Sequence, residues 1–355
     1  MEKLPFQFNT DDIDIFRQLS TSHRMLGNLN GRLQGLPNPA IILNAVTLGE
    51  AKESSEIENI VTTYDALFKE MSAAITTPGS KEVLNYRTAI LGGFSRLKQD
   101  GRNLITINDI KEIHNGIEPG TGDIRRLPGT VLENSRSGET VYTPPQNYHD
   151  ILDYLRNLEI FINDDQVSDQ DPLIKMALIH YQFESIHPFT DGNGRTGRIL
   201  NILYLVKEGL LKEPILYLSK YINQNKMEYY QLLNAVHNHP EQIKGLILYL
   251  LKGIEQMSQF TLDFIDRIEA AMADMNEKLK GNQIIKARKD MVDLIFHNFY
   301  TKTDYLEINR KVALHQVSSF SLKLLTFIVP GIFILSRLAS SFTCLSGVST
   351  WVVPF

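Results

Sequence analysis

A single cysteine, Cys344, leaves the 355-residue chain without a partner for an internal disulfide and without the thiolates of a structural zinc site. Both absences fit a reducing compartment. The opening MEKLPFQFNTDDIDIF lacks the basic n-region and apolar h-region of a signal peptide, so the expected location is cytoplasmic. Acidic residues stop altogether at Glu307. All 41 lie in 1–307 with 32 of the 36 basic residues, so that stretch carries a formal −9 and 308–355 carries +4. A net charge of −5 argues against a nucleic-acid partner. The most apolar block, LLTFIVPGIFIL at 324–335, has twelve residues broken by Pro330-Gly331, short of the ~20 that a membrane span needs. Repeats and low-complexity tracts are absent too.

What remains is helix after helix, with apolar residues at three- and four-residue steps. Such segments are TTYDALFKEMSAAI, VLNYRTAILGGFSRLKQ, INDIKEIHNGI, YHDILDYLRNLEIFI, PLIKMALIHYQFESI, RTGRILNILYLVKEGLL and a long run beginning EQIKGLILYLL, which reads as two helices or one curved one. Thr10 is expected to cap the first helix and Asn38, before Pro39, the second. The exception is GTGDIRRLPGTVLENSRSGETVYTPP (120–145), where β-formers flank SRSG. It reads as a hairpin turning at Ser135–Gly138.

HPFTDGNGRTGR, residues 187–198, lies between two of these helices and opens the second. Gly192, Asn193 and Gly194 can turn successive N–H groups inward as an anion nest, and the helix start adds its own unpaired N–H groups. Arg195 and Arg198, three apart at that end, oppose the helix dipole but suit a polyphosphate. Asp191 is a candidate single carboxylate for Mg²⁺, His187 a candidate general base, and Phe189 with Pro188 an anchor for the loop. The run is neither a P-loop, which needs Lys-Ser/Thr after the glycines, nor a dinucleotide fingerprint, which follows a strand. Taken singly, a turn glycine, a helix-end histidine or a solvated arginine pair would explain each residue.

Taken together, the twelve residues match the HPFx(D/E)GNGRxxR signature without a mismatch, and the chain resembles the Fic-domain proteins over roughly 35–300. The resemblance implies an all-α, Fic-type helical bundle with a small β-hairpin flap, and transfer of AMP from ATP, with Mg²⁺, to a Ser, Thr or Tyr hydroxyl of a protein. His187 would then be the base, Asp191 the Mg²⁺ ligand, and Gly192, Asn193 and Gly194 the phosphate cradle. Arg195 would hold the β-phosphate and Arg198 the γ-phosphate, with Phe189 holding the loop. SSEIEN at 54–59 resembles the family's (S/T)xxxE(G/N) inhibitory motif, with Ser54, Glu58 and Asn59 in its key positions. Glu58 would engage Arg198 and leave the γ-phosphate without its partner. Leu132, Glu133, Asn134, Thr140, Val141 and Tyr142 would form the flap that pairs with the target's backbone. Tyr229 and Tyr230 resemble the tyrosines lining the adenine and ribose pocket, although a tyrosine pair on a helix is also what a core provides.

The same resemblance divides the chain into an N-terminal helical region with the inhibitory helix (1–100), the catalytic core (101–240), a C-terminal helical region (241–307) and an atypical apolar tail (308–355). The tail is read as a truncated or frameshifted winged helix, without a DNA-binding assignment. A protein substrate of unknown identity is expected and self-AMPylation is implied; a homodimer masking the inhibitory helix rests on the family alone. Removal of AMP, use of another nucleotide, an ATP-binding sensor without chemistry and a scaffold anchored by 324–335 remain open alternatives.

Overall fold

The computed structural model describes all residues except 7, 9–11, 37, 72–76, 102, 134–137, 281–291, 293–295 and 297–355. Thr10, Asn134, most of the hairpin turn and the tail from 308 onward therefore lie outside the described residues.

Among these residues the chain is helical, with one two-stranded hairpin. In order come α1 (Ile13–Gln34), α2 (Ala40–Ile57), α3 (Tyr64–Met71), α4 (Pro78–Lys98), α5 (Ile107–Ile117), β1 (Leu132–Glu133), β2 (Thr140–Tyr142), α6 (Tyr148–Asn163), α7 (Pro172–Ile186), α8 (Asn193–Lys207), α9 (Leu218–Gln224), α10 (Lys226–Asn238) and α11 (Ile243–Leu279). The long run that sequence left as two helices or one is a single helix, α11. The strands are antiparallel, Leu132 opposite Tyr142 and Glu133 opposite Thr140, with an irregularity between the two pairs.

Two compact units divide the chain. Among the described residues, one comprises those of Met1–Leu33 and Val46–Thr261; the other comprises those of Gln34–Ala45 and from Leu262 onward. The second unit buries Ile41, Ile42, Phe264, Ile265 and Ile268. The first holds the candidate site. At its centre α7 is buried at every position from Leu173 to Ile186, and α8 is buried from Asn193 to Val206 except at Gly194. Helices buried on every face sit inside the bundle, whatever polar groups they carry. Accordingly α7 and α8 pack on each other, α4 packs on α5 and α8, and α6 packs on α7. HPFTDGNGRTGR is thus the connection between the two innermost helices.

Local chemistry sets the helix ends. Thr77 caps α4 with Pro78 at the first helical position, five residues ahead of the periodic segment read from sequence, because the cap and the proline pre-form the first turn. In α5 the Thr106 hydroxyl accepts from the Asp109 N–H, while the Asp109 carboxylate accepts from the Thr106 N–H at 2.8 Å. This capping box predicts that Thr106→Ala lowers stability by about 1 kcal/mol. Urea denaturation should show a lower midpoint at unchanged slope.

Candidate active site

α7 ends at His187, which adopts a left-handed conformation (φ +47). Its Nδ1 lies 3.3 Å from the Glu184 carbonyl oxygen. A carbonyl can only accept, so Nδ1 carries the proton and Nε2 presents its lone pair. Burial is the main cause that pulls the imidazole down to about 4, leaving it neutral near pH 7.

The loop after it is closed by its own polar groups. Asn193 Oδ1 accepts from the Phe189 N–H and Asn193 Nδ2 donates to the Phe189 carbonyl, both at 2.8 Å. The buried Phe189 ring lies on His114 of α5, centroids 3.7 Å apart and planes 2° apart. Thr196 Oγ1 spends its proton on the Gly192 carbonyl at 2.9 Å, so His114 Nδ1 is the donor in its 3.2 Å bond to that oxygen. Gly192 caps α8 in the left-handed region (φ +71), with no side chain on the helix's first N–H groups. Those of Asn193, Gly194 and Arg195 precede the first intrahelical bond, from Thr196 N–H to the Gly192 carbonyl. Asp191 is exposed and takes the Gly192 N–H on Oδ1 at 2.6 Å.

The two arginines are both buried and differently engaged. Arg195 Nη1 donates to Glu82 at 3.1 Å and Nη2 to Glu118 at 2.5 Å. Arg198 turns to α2: Nε donates to Ser54 Oγ at 2.8 Å, and Nη2 donates to the Ser54 carbonyl at 2.9 Å and to Glu58 Oε1 at 2.8 Å. Burial works to lower the Arg198 pKa, but the carboxylate of Glu58, with smaller help from Tyr86, Tyr229 and Glu184, carries it above its ordinary value. The carboxylate rests on the glycine loop. A Cβ on Gly194 would stand 2.5 Å from Glu58 Oε1 and 2.9 Å from Arg198 Nη1, so glycine is what lets the pair form there.

The end of α2 explains why Glu58 reaches that point. The Ile60 N–H donates to the Ser55 carbonyl and the Asn59 N–H to the Glu56 carbonyl, both at 3.0 Å, with Asn59 left-handed at φ +63. These are the two bonds of a Schellman motif, with Glu58 at the cap and Asn59 in the position that favours glycine or asparagine. Lys226 Nζ donates to the Ile57 carbonyl. Two turns back, buried Glu50 receives the Ser219 hydroxyl, the Ser219 N–H at 2.9 Å and the Tyr86 hydroxyl at 3.3 Å; burial raises its pKa to about 7.

The remaining expected residues divide. Tyr229 is 2% exposed, and its hydroxyl is 2.8 Å from Nε2 of buried His180, so its ring belongs to the core; Tyr230 is 44% exposed. In the hairpin, Thr140 and Val141 are exposed, while Leu132 and Tyr142 are half-buried. Tyr142 stacks on His237 of α10, centroids 3.7 Å apart. Glu133 is exposed, and Asn134 lies outside the described residues.

Sequence reasoning missed Glu82, Glu118, His114, His237, Glu184 and Arg125. His114 could have been found, since it shares the buried face of α5 with Ile110, Ile113 and Ile117. Glu184, buried beside Arg198 and raised to about 7 chiefly by burial, carried no signal beyond its place in an apolar helix.

A strained position predicts its own test. Asn59→Val should cost about 1–2 kcal/mol, because a β-branched residue resists the left-handed region, whereas Asn59→Gly should be neutral or stabilising. Thermal melts of the two variants check it.

Comparison with known proteins gives the family. Residues 16–95 match the model for the Fic/DOC family N-terminal region and residues 104–205 the model for the Fic/DOC family. The chain is 26% identical over 260 residues to the protein adenylyltransferase Fic of Drosophila ananassae, covering 69% of this chain and 48% of that one. With protein adenylyltransferase fic-1 of Caenorhabditis elegans it shares 29% over 157 residues, 44% of this chain and 28% of that one. It therefore spans less than half the length of these relatives. The fold is similar to a Fic family protein from Desulfovibrio desulfuricans G20 (TM-score 0.60, 16% identity, 86% of this chain and 97% of that chain). It is similar also to a segment of Fic-1 from C. elegans (TM-score 0.56, 21% identity, 70% and 72%). With family models spanning the helices that carry both Glu58 and the 187–198 loop, the chain belongs to the Fic/DOC family.

Proposed function

We propose that this chain is a protein adenylyltransferase that moves AMP from ATP to a protein hydroxyl and is held back by its own Glu58. The observation that carries the reading is the state of the signature's ends: His187 is neutral with Nε2 as its lone-pair nitrogen, while Arg198 is buried and bound by Ser54 and Glu58. A hydroxyl is a poor nucleophile, so the reaction needs a base, alignment and charge neutralisation more than covalent help.

In the released enzyme, His187 Nε2 takes the proton as the target's hydroxyl oxygen bonds to the α-phosphorus. The bond from that phosphorus to the bridging oxygen breaks, and pyrophosphate leaves. The N-terminus of α8, whose cap Gly192 offers no side chain to its N–H groups, receives phosphate oxygens, and Arg198 holds the γ-phosphate once Glu58 withdraws. For Arg195 to reach the β-phosphate, its carboxylate partners must yield, since both of its Nη groups are engaged. Tyr230, rather than Tyr229, has the exposed ring for the nucleoside. The hairpin aligns the target by strand addition along Thr140–Tyr142.

Asp191 fits a cation that brings its own waters and shares phosphate oxygens, as Mg²⁺ does: it is a single exposed carboxylate. Among the described residues no cluster of three or more His, Cys, Asp or Glu could hold a metal alone. When bound, Mg²⁺ would neutralise charge on the α- and β-phosphates. Among the described residues no helix is long and apolar enough to cross a membrane.

Incubation with α-³²P-ATP and Mg²⁺ tests the reading. The Glu58→Gly protein should label itself at least about 10-fold faster than wild type, since a charge-assisted bond of ~1.5–3 kcal/mol is removed from competition. Adding His187→Ala should abolish labelling. Absence of labelling in every form, with ATP still bound, would favour a nucleotide sensor. The pH profile is a second check. A histidine must be deprotonated to act as base, and His187 is depressed to about 4. The Glu58→Gly rate should therefore hold between pH 7.5 and 5.5, where an unperturbed imidazole would lose about nine-tenths.

A further inference from the structure

Arg125 stands beneath the turn that presents His187. Its Nε donates to the His187 carbonyl at 2.8 Å, and Nη2 donates to the Pro145 carbonyl and, at 3.4 Å, to that of Ile186. Its backbone N–H donates to the Pro188 carbonyl at 2.9 Å. The side chain is buried, so these carbonyls hold a guanidinium away from water. Two of them are the last of α7, where a cation is favoured by the helix dipole. Pro145 closes the other end of the contact: it follows β2, and the next residue, Gln146, takes the Gly129 N–H and donates to the Thr130 and Pro144 carbonyls, tying both legs of the hairpin together. One side chain thus joins the hairpin's base to the histidine's backbone.

That backbone needs holding. A left-handed residue other than glycine costs roughly 1–2 kcal/mol, and His187 has no other side-chain brace on its carbonyl among the described bonds. We propose that Arg125 is a positioning residue for AMP transfer: by bracing the His187 turn and the hairpin base together, it sets the base and the target-binding strand in one register. The inference rests on the transferase reading of the site. Through His187's backbone, Arg125 fixes the ring with Nδ1 on the Glu184 carbonyl and Nε2 as the proton acceptor. Burial is the main cause that keeps the imidazole neutral and the charge of Arg125 adds to it, against the Glu184 carbonyl bond first and then Glu58 and Asp191, which pull the other way; His237 is the remaining titratable neighbour.

The test compares Arg125→Lys and Arg125→Met in the Glu58→Gly protein. Self-labelling kinetics are read alongside long-range ¹H–¹⁵N NMR of the His187 ring, which reports tautomer and titration without any turnover. Arg125→Met should lower kcat about 100-fold, the loss typical of a reacting group displaced by about 1 Å, with KM for ATP changed less than about threefold. In the same variant the ring should lose its pure Nδ1–H form, and its titration should move upward from about 4. Arg125→Lys keeps the cation but not the fork, so it should hold the titration low and recover kcat only in part. Unchanged kcat, or kcat and KM falling together while the ring's tautomer and titration stay as in the parent, would overturn the proposal. If Arg125→Met does not fold, Arg125→Lys decides by the same two readouts. If the Glu58→Gly parent labels nothing, the transferase reading fails by itself, and an unchanged ring in the variants overturns the positioning role independently.

Discussion

A guanidinium donor already given to one anion is not free for a second. In this chain the guanidinium in question, Arg198, is 3% exposed and already occupied by Ser54 and Glu58. Much of the surrounding architecture exists to make that occupation stable. The Schellman end of α2 delivers Glu58, Gly194 clears the space for it, and Glu50 and Lys226 hold the helix to α9, α4 and α10. Removing one partner of a buried ion pair is costly because it leaves a charge uncompensated. Under the proposed exchange, a phosphate would restore the lost negative charge at the same fork.

Around this pair the interior is polar but largely uncharged. His114, His180 and His237 are, like His187, held well below their ordinary range, with burial as the first cause in each. Each neutral ring then has one N–H to give and one lone pair, and neighbours fix which nitrogen does which. His237 donates through Nε2 to Ser185 Oγ at 3.1 Å, because that hydroxyl has spent its proton on the Tyr181 carbonyl. None of the four imidazoles therefore adds a positive charge beside the two arginines near pH 7. Glu184 and Glu50 are both raised to about 7, mainly by burial, and the charge of Arg198 pulls each of them back down.

Much of this was legible in the sequence, for identifiable reasons. The helices could be read because their apolar faces are periodic, and INDIKEIHNGI and YHDILDYLRNLEIFI match α5 and α6 almost to the residue; in the structure Thr106 and Asn147 cap them. The 187–198 loop was legible because its chemistry is contiguous. Glu58 was legible only through a motif, since nothing local to SSEIEN says that an arginine 140 positions away will meet it. Partners joined only by packing were not legible: Glu82 and Glu118 on Arg195, and Arg125 under His187, are supplied by helices and loops whose approach is a tertiary fact. The tyrosine pair shows the limit of pattern from the other side. Adjacent residues on a helix point in different directions, so Tyr229 went to the core and Tyr230 to the surface.

Competition between Glu58 and a γ-phosphate for one arginine can be measured without any turnover. Calorimetry of ATP and ADP binding to wild type and to Glu58→Gly isolates it, because the two nucleotides differ only in the phosphate that Arg198 is proposed to hold. The account predicts that the substitution tightens ATP binding by about 10-fold or more, the worth of a charge-assisted bond, and leaves ADP nearly unchanged. Equal gains for both nucleotides, or none for either, would contradict it.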